Sequence, residues 1–226
     1  ISWAQQMAYK VHFLLIVLGP TLVFFLVKYN LWTSIYAMPG VTRLQGYDLK
    51  EMLQYQVWVM VLAFFAQAYN GMNLAEDIRL GRISSYLVYP FELWHFHTAS
   101  FLAFQVVQAL VAAATVLLTS ALGVLAIPAP RDLAAGIGLA LLSGCFWYAV
   151  TYAMGLGAFW LEETWVLRVI FTILCGFLSG AVLPLDLYPG WLRAALHYSP
   201  FPYVTYVPVR VLMGGYDGSI ALAAAL

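Results

Sequence analysis

Glu76-Asp77-Ile78-Arg79-Leu80-Gly81-Arg82 is a charged island between two long apolar runs, and it continues to Tyr86, Tyr89 and Pro90. It packs four charges into seven positions of a 226-residue chain that is 64% hydrophobic and only 9% charged. A soluble fold of this length cannot bury that much apolar surface, so the flanking runs belong in lipid and the island in water. A compact polar turn between membrane-crossing helices predicts a surface made to be gripped by a partner.

The rest of the composition agrees with an all-α membrane protein. Mean hydropathy is +0.86. Lys plus Arg equals Asp plus Glu at ten each, so there is no basic field and nucleic acid is excluded as a partner. A span needs about 20 mainly apolar residues, which leaves room for five or six spans and no soluble catalytic domain. Cys145 and Cys175 lie inside apolar runs and read as small packing residues. The chain starts at Ile1 without a Met and stops at Leu226 inside an apolar run, so both natural ends are expected to lie beyond it. No cleavable signal peptide is expected.

The whole chain, 1–226, reads as one transmembrane domain. Residues 1–10 are amphipathic and suit an interfacial helix. The first span covers about 11–35, with Gly19-Pro20 as a kink and Lys28 placed to snorkel. Asp48 and Glu51, three apart, predict a capping box before the second span at about 52–74. Gly81 is expected to end the island's helical turns, and Pro90 to open the next helix. The third span lies at about 94–126. Pro128 and Pro130 break the chain, and Asp132 is placed to cap a fourth span at about 132–161. The fifth span is expected at about 164–187. Pro189, Pro200, Pro202 and Pro208 then cut residues 188–212 into short re-entrant or interfacial helices around Trp191. A sixth span begins near residue 219 and is cut off. Counting charge in the loops does not decide the orientation.

The motifs resemble the permeases of the ABC type-2 export family, in the subgroup with two permease subunits and one ATPase. The resemblance rests on Glu76-Asp77-Ile78-Arg79-x-Gly81-Arg82-Ile83, then Tyr86-Leu87 and Pro90; on Gly46-Tyr47-Asp48-Leu49-Lys50-Glu51; on Gly180-x-x-x-Pro184-Leu185 with Tyr188-Pro189-x-Trp191-Leu192; on Pro200-Phe201, Tyr206, Pro208 and Gly214; and on Trp3-Ala4-Gln5-Gln6 with Ala8-Tyr9-Lys10. It implies a six-span fold with an amphipathic N-terminal helix, a cytoplasmic coupling helix and outer re-entrant helices before the last span. It implies docking on a cytoplasmic ABC ATPase dimer through Glu76, Asp77, Arg79, Gly81, Arg82, Ile83 and Tyr86, with ATP and Mg held by that partner and no cofactor on this chain. A second, homologous permease chain is a further implied partner. The implied location is the bacterial cytoplasmic membrane, as a multi-pass protein among membrane lipids.

Other residues carry two readings each. Gln67, Asn70 and Asn73 are three apart in the second span, and each step of three turns a helix about 300°. With Phe64 they line a conduit, or they serve as hydrogen-bond glue between helices. Gln105 and Gln108 have the same alternatives. Gly136, Ala140 and Gly144, and Gly176 with Gly180, are spaced for close helix contact, inside the chain or with the second permease. Glu76 and Arg79, three apart, suit an ion pair within one helical turn. His95 and His97 are too few for a metal site. Glu162-Glu163 read as a polar turn, and Arg168, like Lys28, as a snorkelling cation.

The sequence has no G-x-x-x-x-G-K-[ST], H-E-x-x-H or G-x-S-x-G. It therefore reads as the engine-less permease of an exporter for a lipophilic or amphipathic cargo such as a lipid, glycolipid or drug-like molecule. The alternative is an ion-coupled secondary transporter or channel subunit, disfavoured because no Asp or Glu stands at the centre of a span. A membrane-embedded enzyme is disfavoured by the missing catalytic motifs.

Overall fold

In the computed structural model the chain is described over residues 10–66, 70–86, 88, 90, 92–161 and 163–214, with side chains from residue 23 onward except those of 70–73. The interfacial segment at 1–9 and the sixth span from 219 lie outside the described residues. The described residues form α1 (Lys10–Tyr36), α2 (Leu49–Ala66), α3 (Asn70–Arg79), α4 (Ile83–Tyr86), α5 (Leu93–Ala121), α6 (Pro130–Leu156), α7 (Trp165–Leu178), α8 (Gly190–His197), α9 (Phe201–Val204) and α10 (Tyr206–Leu212). Among them there is no β-strand. Two of the described helices, α5 and α6, are long and apolar enough to cross a membrane, and α7 is a shorter apolar helix.

The fold is built around α2. Its sequence is apolar on every side, which marks a helix enclosed by others rather than one lying at a surface. Twelve of its residues are buried, including Tyr55, Trp58, Phe64 and Phe65. Its start is set by the expected capping box: the Asp48 amide donates to Glu51 Oε2 at 2.9 Å, and the Glu51 amide donates to Asp48 Oδ1 at 2.7 Å. α1, α5, α6 and α10 pack around it. Trp32 of α1, Ala140 of α6 and Val209 and Leu212 of α10 complete this core.

The small residues of α6 serve packing within the chain. A Cβ at Gly136 would collide with the Leu212 side chain, and one at Gly144 would stand 3.0 Å from the Phe65 carbonyl oxygen. Ala140 between them is 3% exposed. Gln105 of α5 joins the same contact by donating to the Phe65 carbonyl at 3.0 Å, which is the glue role. The opposite faces are apolar and exposed. Leu102, Val106 and Leu110 line α5 at steps of four, and Leu141 and Leu142 project from α6.

Several expected boundaries move. α6 has Ala129 at its N-cap and Pro130 and Asp132 in its first turn, with no side-chain cap; Asp132 there favours the helix dipole. α5 starts at Leu93 behind Glu92, not at Pro90, and ends before Gly123, whose φ is +72°. Helix α3 runs on to Arg79, past the expected end of the second span at 74, so the charged island begins inside a helix. The fifth apolar run is helical only to Leu178. Gly180 turns the chain with φ +84°, and its carbonyl accepts a 2.7 Å hydrogen bond from Tyr55.

Lys28 does not snorkel. It is 8% exposed, and its Nζ donates to the Val182 carbonyl at 2.6 Å, just beyond the break at Gly180. The break frees that carbonyl, and the buried ammonium satisfies it.

The prolines beyond the break open short helices. Pro189 stands at the N-cap of α8 and Pro200 at that of α9. Pro208 lies in the first turn of α10, where a missing N–H costs no helical bond, and its ring is fully buried. Trp191 on α8 is 73% exposed.

Candidate functional site

The island is a folded unit formed by the end of α3 and the short helix α4. Leu74 and Ile78 of α3, four apart, anchor it on Phe101, Tyr148 and Tyr152 of α5 and α6. Leu74 is fully buried in that cluster. The face opposite carries the charges. α3 ends where Gly81, with φ +68°, lets its amide reach the Ile78 carbonyl at 3.0 Å. α4 then folds back on α3 through one acceptor. Arg82 Nε donates to Asp77 Oδ1 at 2.9 Å, and Tyr86 Oη donates to Asp77 Oδ2 at 2.9 Å. Arg82 also pairs with Glu76 at 3.1 Å.

The expected Glu76–Arg79 pair does not form. Arg79 reaches instead to Glu163, just before α7, at 3.0 Å, with both side chains about half exposed. Glu163 therefore joins the charged face of the site. Its partner is 84 positions away, which no local spacing reports.

The apolar side chains of the site are partly covered within the chain. Tyr86 is half-buried, with its ring 5.5 Å from that of Phe96 and 6.1 Å from that of His97. Ile83 is half-buried as well. The large apolar side chains that face outward here are Leu80, 55% exposed, and Val88, 84% exposed. Leu80 was legible as the apolar residue flanked by charges; Val88 had no such signal.

Of the second group of expected residues, only Phe64 has a described side chain. Phe64 is buried in the main core. Gln67 lies outside the described residues. Asn70 and Asn73 belong to α3, and their side chains are among those not described.

At the opposite end of the bundle lies a second polar cluster that the residue types alone did not reveal. Asp186 accepts hydrogen bonds from Tyr47 at 2.6 Å and from Tyr206 at 2.8 Å. Arg210 donates to the Tyr47 oxygen at 2.9 Å and lies over its ring at 5.6 Å. The cluster ties the loop before α2 to the proline-rich segment.

The family profile described as ABC-2 family transporter protein matches residues 20–226. The chain belongs to the ABC-2 transporter family. It is a membrane protein, the permease component of an ABC transporter. This agrees with its helical architecture and with the long apolar helices α5 and α6. Searches of curated proteins and of solved structures returned no match.

Proposed function

We propose that this ABC-2 permease couples ATP hydrolysis on a separate cytoplasmic ABC ATPase dimer to the export of a lipophilic or amphipathic cargo, out of the cytoplasm or inner leaflet. The ATPase would bind ATP and Mg; the permease would bind neither. The coupling element is the α3–α4 unit, with Glu76, Asp77, Arg79 and Arg82 as its charged face and Leu80 and Val88 beside them. A second, homologous permease completes the conduit, and six spans cross the bacterial cytoplasmic membrane with α3–α4 on the inside and residues 188–212 on the outside.

One observation carries this reading. The charged helical pair is cross-braced by Asp77 and by Arg79–Glu163, and anchored at Leu74 on the two long apolar helices. A force-transmitting handle must stay folded while it is pushed, and this one is fixed to α5 and α6 rather than hung on a loose loop. Such exposed ion pairs stabilise little, about 0–1 kcal/mol each, so they orient the surface more than they hold the fold.

The test is the Arg79→Glu, Arg82→Glu double variant in the reconstituted transporter. The expected result is normal insertion and assembly of the permease with loss of cargo-stimulated ATP hydrolysis. Unchanged stimulation would remove the coupling role. The cargo class is tested in nanodiscs across lipids, drug-like amphiphiles, sugars and ions; stimulation by sugars or ions alone would defeat it.

A further inference from the structure

Resting on the export reading, we propose that a cavity between α2, α6, α7 and α9 binds the phosphate head of an amphiphile, with Arg168 as its cation. The cavity has a volume of about 360 Å³, within the range of small-molecule sites. It is elongated, because each helix contributes a stripe. α7 lines it with Arg168, Thr172, Cys175 and Gly176, at steps of four, three and one, and Ser179 follows just past its end. From Arg168 to Ser179 such a stripe runs about 16 Å.

Its only charge is Arg168; Ser143, Thr172, Ser179 and Thr205 add hydroxyls along its length, and those of Ser143 and Thr151 are spent on the Val204 and Trp147 carbonyls. Thr151, near the end of α6, and Arg168, in the first turn of α7, stand at one end of the antiparallel pair. Val59, Leu62 and Ala63 of α2 form an apolar wall. The sequence reading of Arg168 as a snorkelling cation does not hold: the side chain is half-buried, and its Nη1 is buried with no hydrogen-bond partner. The nearest acid in the described chain sequence, Glu163, is engaged by Arg79.

A buried guanidinium N–H without an acceptor costs free energy, and an anion restores the balance. Planar guanidinium suits a tetrahedral phosphate, to which it donates through two N–H groups. The apolar wall excludes a free ion as the natural occupant, since a hydrated phosphate leaves that wall wet. An acyl-bearing phosphate matches the cation and the α2 wall at once. Arg168 lies five residues from Glu163, on the side of the bundle that carries the α3–α4 unit. Under the proposed orientation this is the level of inner-leaflet head groups.

The probe is dioctanoyl phosphatidic acid, binding to the purified complete transporter and read by native mass spectrometry. Dioctanoylglycerol and inorganic phosphate are the comparison ligands. Wild type is expected to bind the phosphatidic acid, and to bind dioctanoylglycerol or inorganic phosphate at least about ten-fold more weakly. Arg168→Gln is expected to lose about ten-fold in affinity, and Arg168→Lys to lose less, since it keeps the charge but not the paired N–H groups. Ala63→Phe, which fills the apolar wall and leaves Arg168 in place, is expected to weaken binding too. Equal binding by wild type and Arg168→Gln, equal binding of dioctanoylglycerol, or no binding at all (a cavity that holds only water) overturns the proposal.

A turnover arm separates the two sources of such a phosphate. Cargo stimulates ATP hydrolysis, whereas a resident lipid stays bound without stimulating it; in both cases the head-group site stands. Because binding is read without ATP, it stands or falls independently of the export reading. That reading fails separately if no ATPase associates with the chain.

Discussion

Tyr47 donates to Asp186 at 2.6 Å across 139 positions of sequence, and the same tyrosine oxygen accepts from Arg210. With Tyr206 on the other Asp186 oxygen, the loop before α2, the turn after α7 and α10 share one polar centre. Removing the acceptor leaves two phenols with unmatched donors, at about 1–3 kcal/mol each if both remain dry. Asp186→Ala is therefore expected to destabilise the permease by about 2–4 kcal/mol, measured by thermal unfolding in detergent or nanodiscs. Tyr47→Phe alone is expected to lose about half as much. The double variant should lose less than the sum of the singles, since the pair shares one bond. Strict additivity would mean that Tyr47 and Asp186 do not act together.

The same centre gives a pH dependence. Burial, reinforced by the hydrogen bond to Asp186, raises the Tyr47 pKa above its ordinary 10.0; burial and the Asp186 charge raise that of Tyr206. In the folded protein both phenols resist ionisation, whereas in the unfolded chain they ionise near 10. The unfolded state then holds fewer protons than the folded one, so stability falls as pH climbs. The stabilisation is fully present below pH 10 and is lost above it, at up to about 1.4 kcal/mol per pH unit for each group. Unfolding curves from pH 8 to 11.5 are expected to show a break near 10, and the Tyr47→Phe, Tyr206→Phe variant a shallower slope. Identical slopes would assign the alkaline loss to other groups.

Two glycines of α6 make a matched pair for testing close packing. A Cβ at Gly144 meets the Phe65 carbonyl at 3.0 Å, whereas one at Gly138 meets nothing within 4 Å. Gly144→Ala forces backbone apart from backbone and is expected to cost about 1–3 kcal/mol. Gly138→Ala replaces a flexible residue at an open helical site and is expected to be neutral or stabilising by up to about 1 kcal/mol. Comparing the two melting temperatures against wild type checks this; equal effects would deny the close approach of α6 to α2.

What the sequence could disclose was local. The Asp48–Glu51 capping box and the turn at Gly81 both formed as their spacing and residue types require. The features that failed depend on distant partners. Lys28 reads as a snorkelling cation until a carbonyl at Val182 is freed by the break at Gly180. The expected span runs on to Leu187 because the stretch is mostly apolar, although Gly180 and Pro184 stand inside it. Arg79 has an acid three residues before it, yet Glu163 takes it, while Arg82 folds back over Gly81 to claim Glu76. In a chain this poor in charge, each ion pair is decided by which helices the apolar packing brings together.

The Arg79–Glu163 pair yields the sharpest test of the coupling unit. Under the proposed coupling role Arg79 has two separable jobs: bracing α3 against the turn before α7, and presenting charge to the ATPase. Arg79→Glu alone damages both. Arg79→Glu with Glu163→Arg restores an opposite-charge pair in the same place, and such an exposed pair contributes about 0.2–1 kcal/mol. The swap is therefore expected to match wild type in stability to within about 0.5 kcal/mol. Cargo-stimulated ATP hydrolysis is nevertheless expected to stay low, because the sign presented to the partner remains reversed. The ATPase rate and the melting temperature, measured on the same preparation, give the answer. If the swap recovers both, the brace alone is what coupling needs, and Arg79 makes no direct contact with the ATPase.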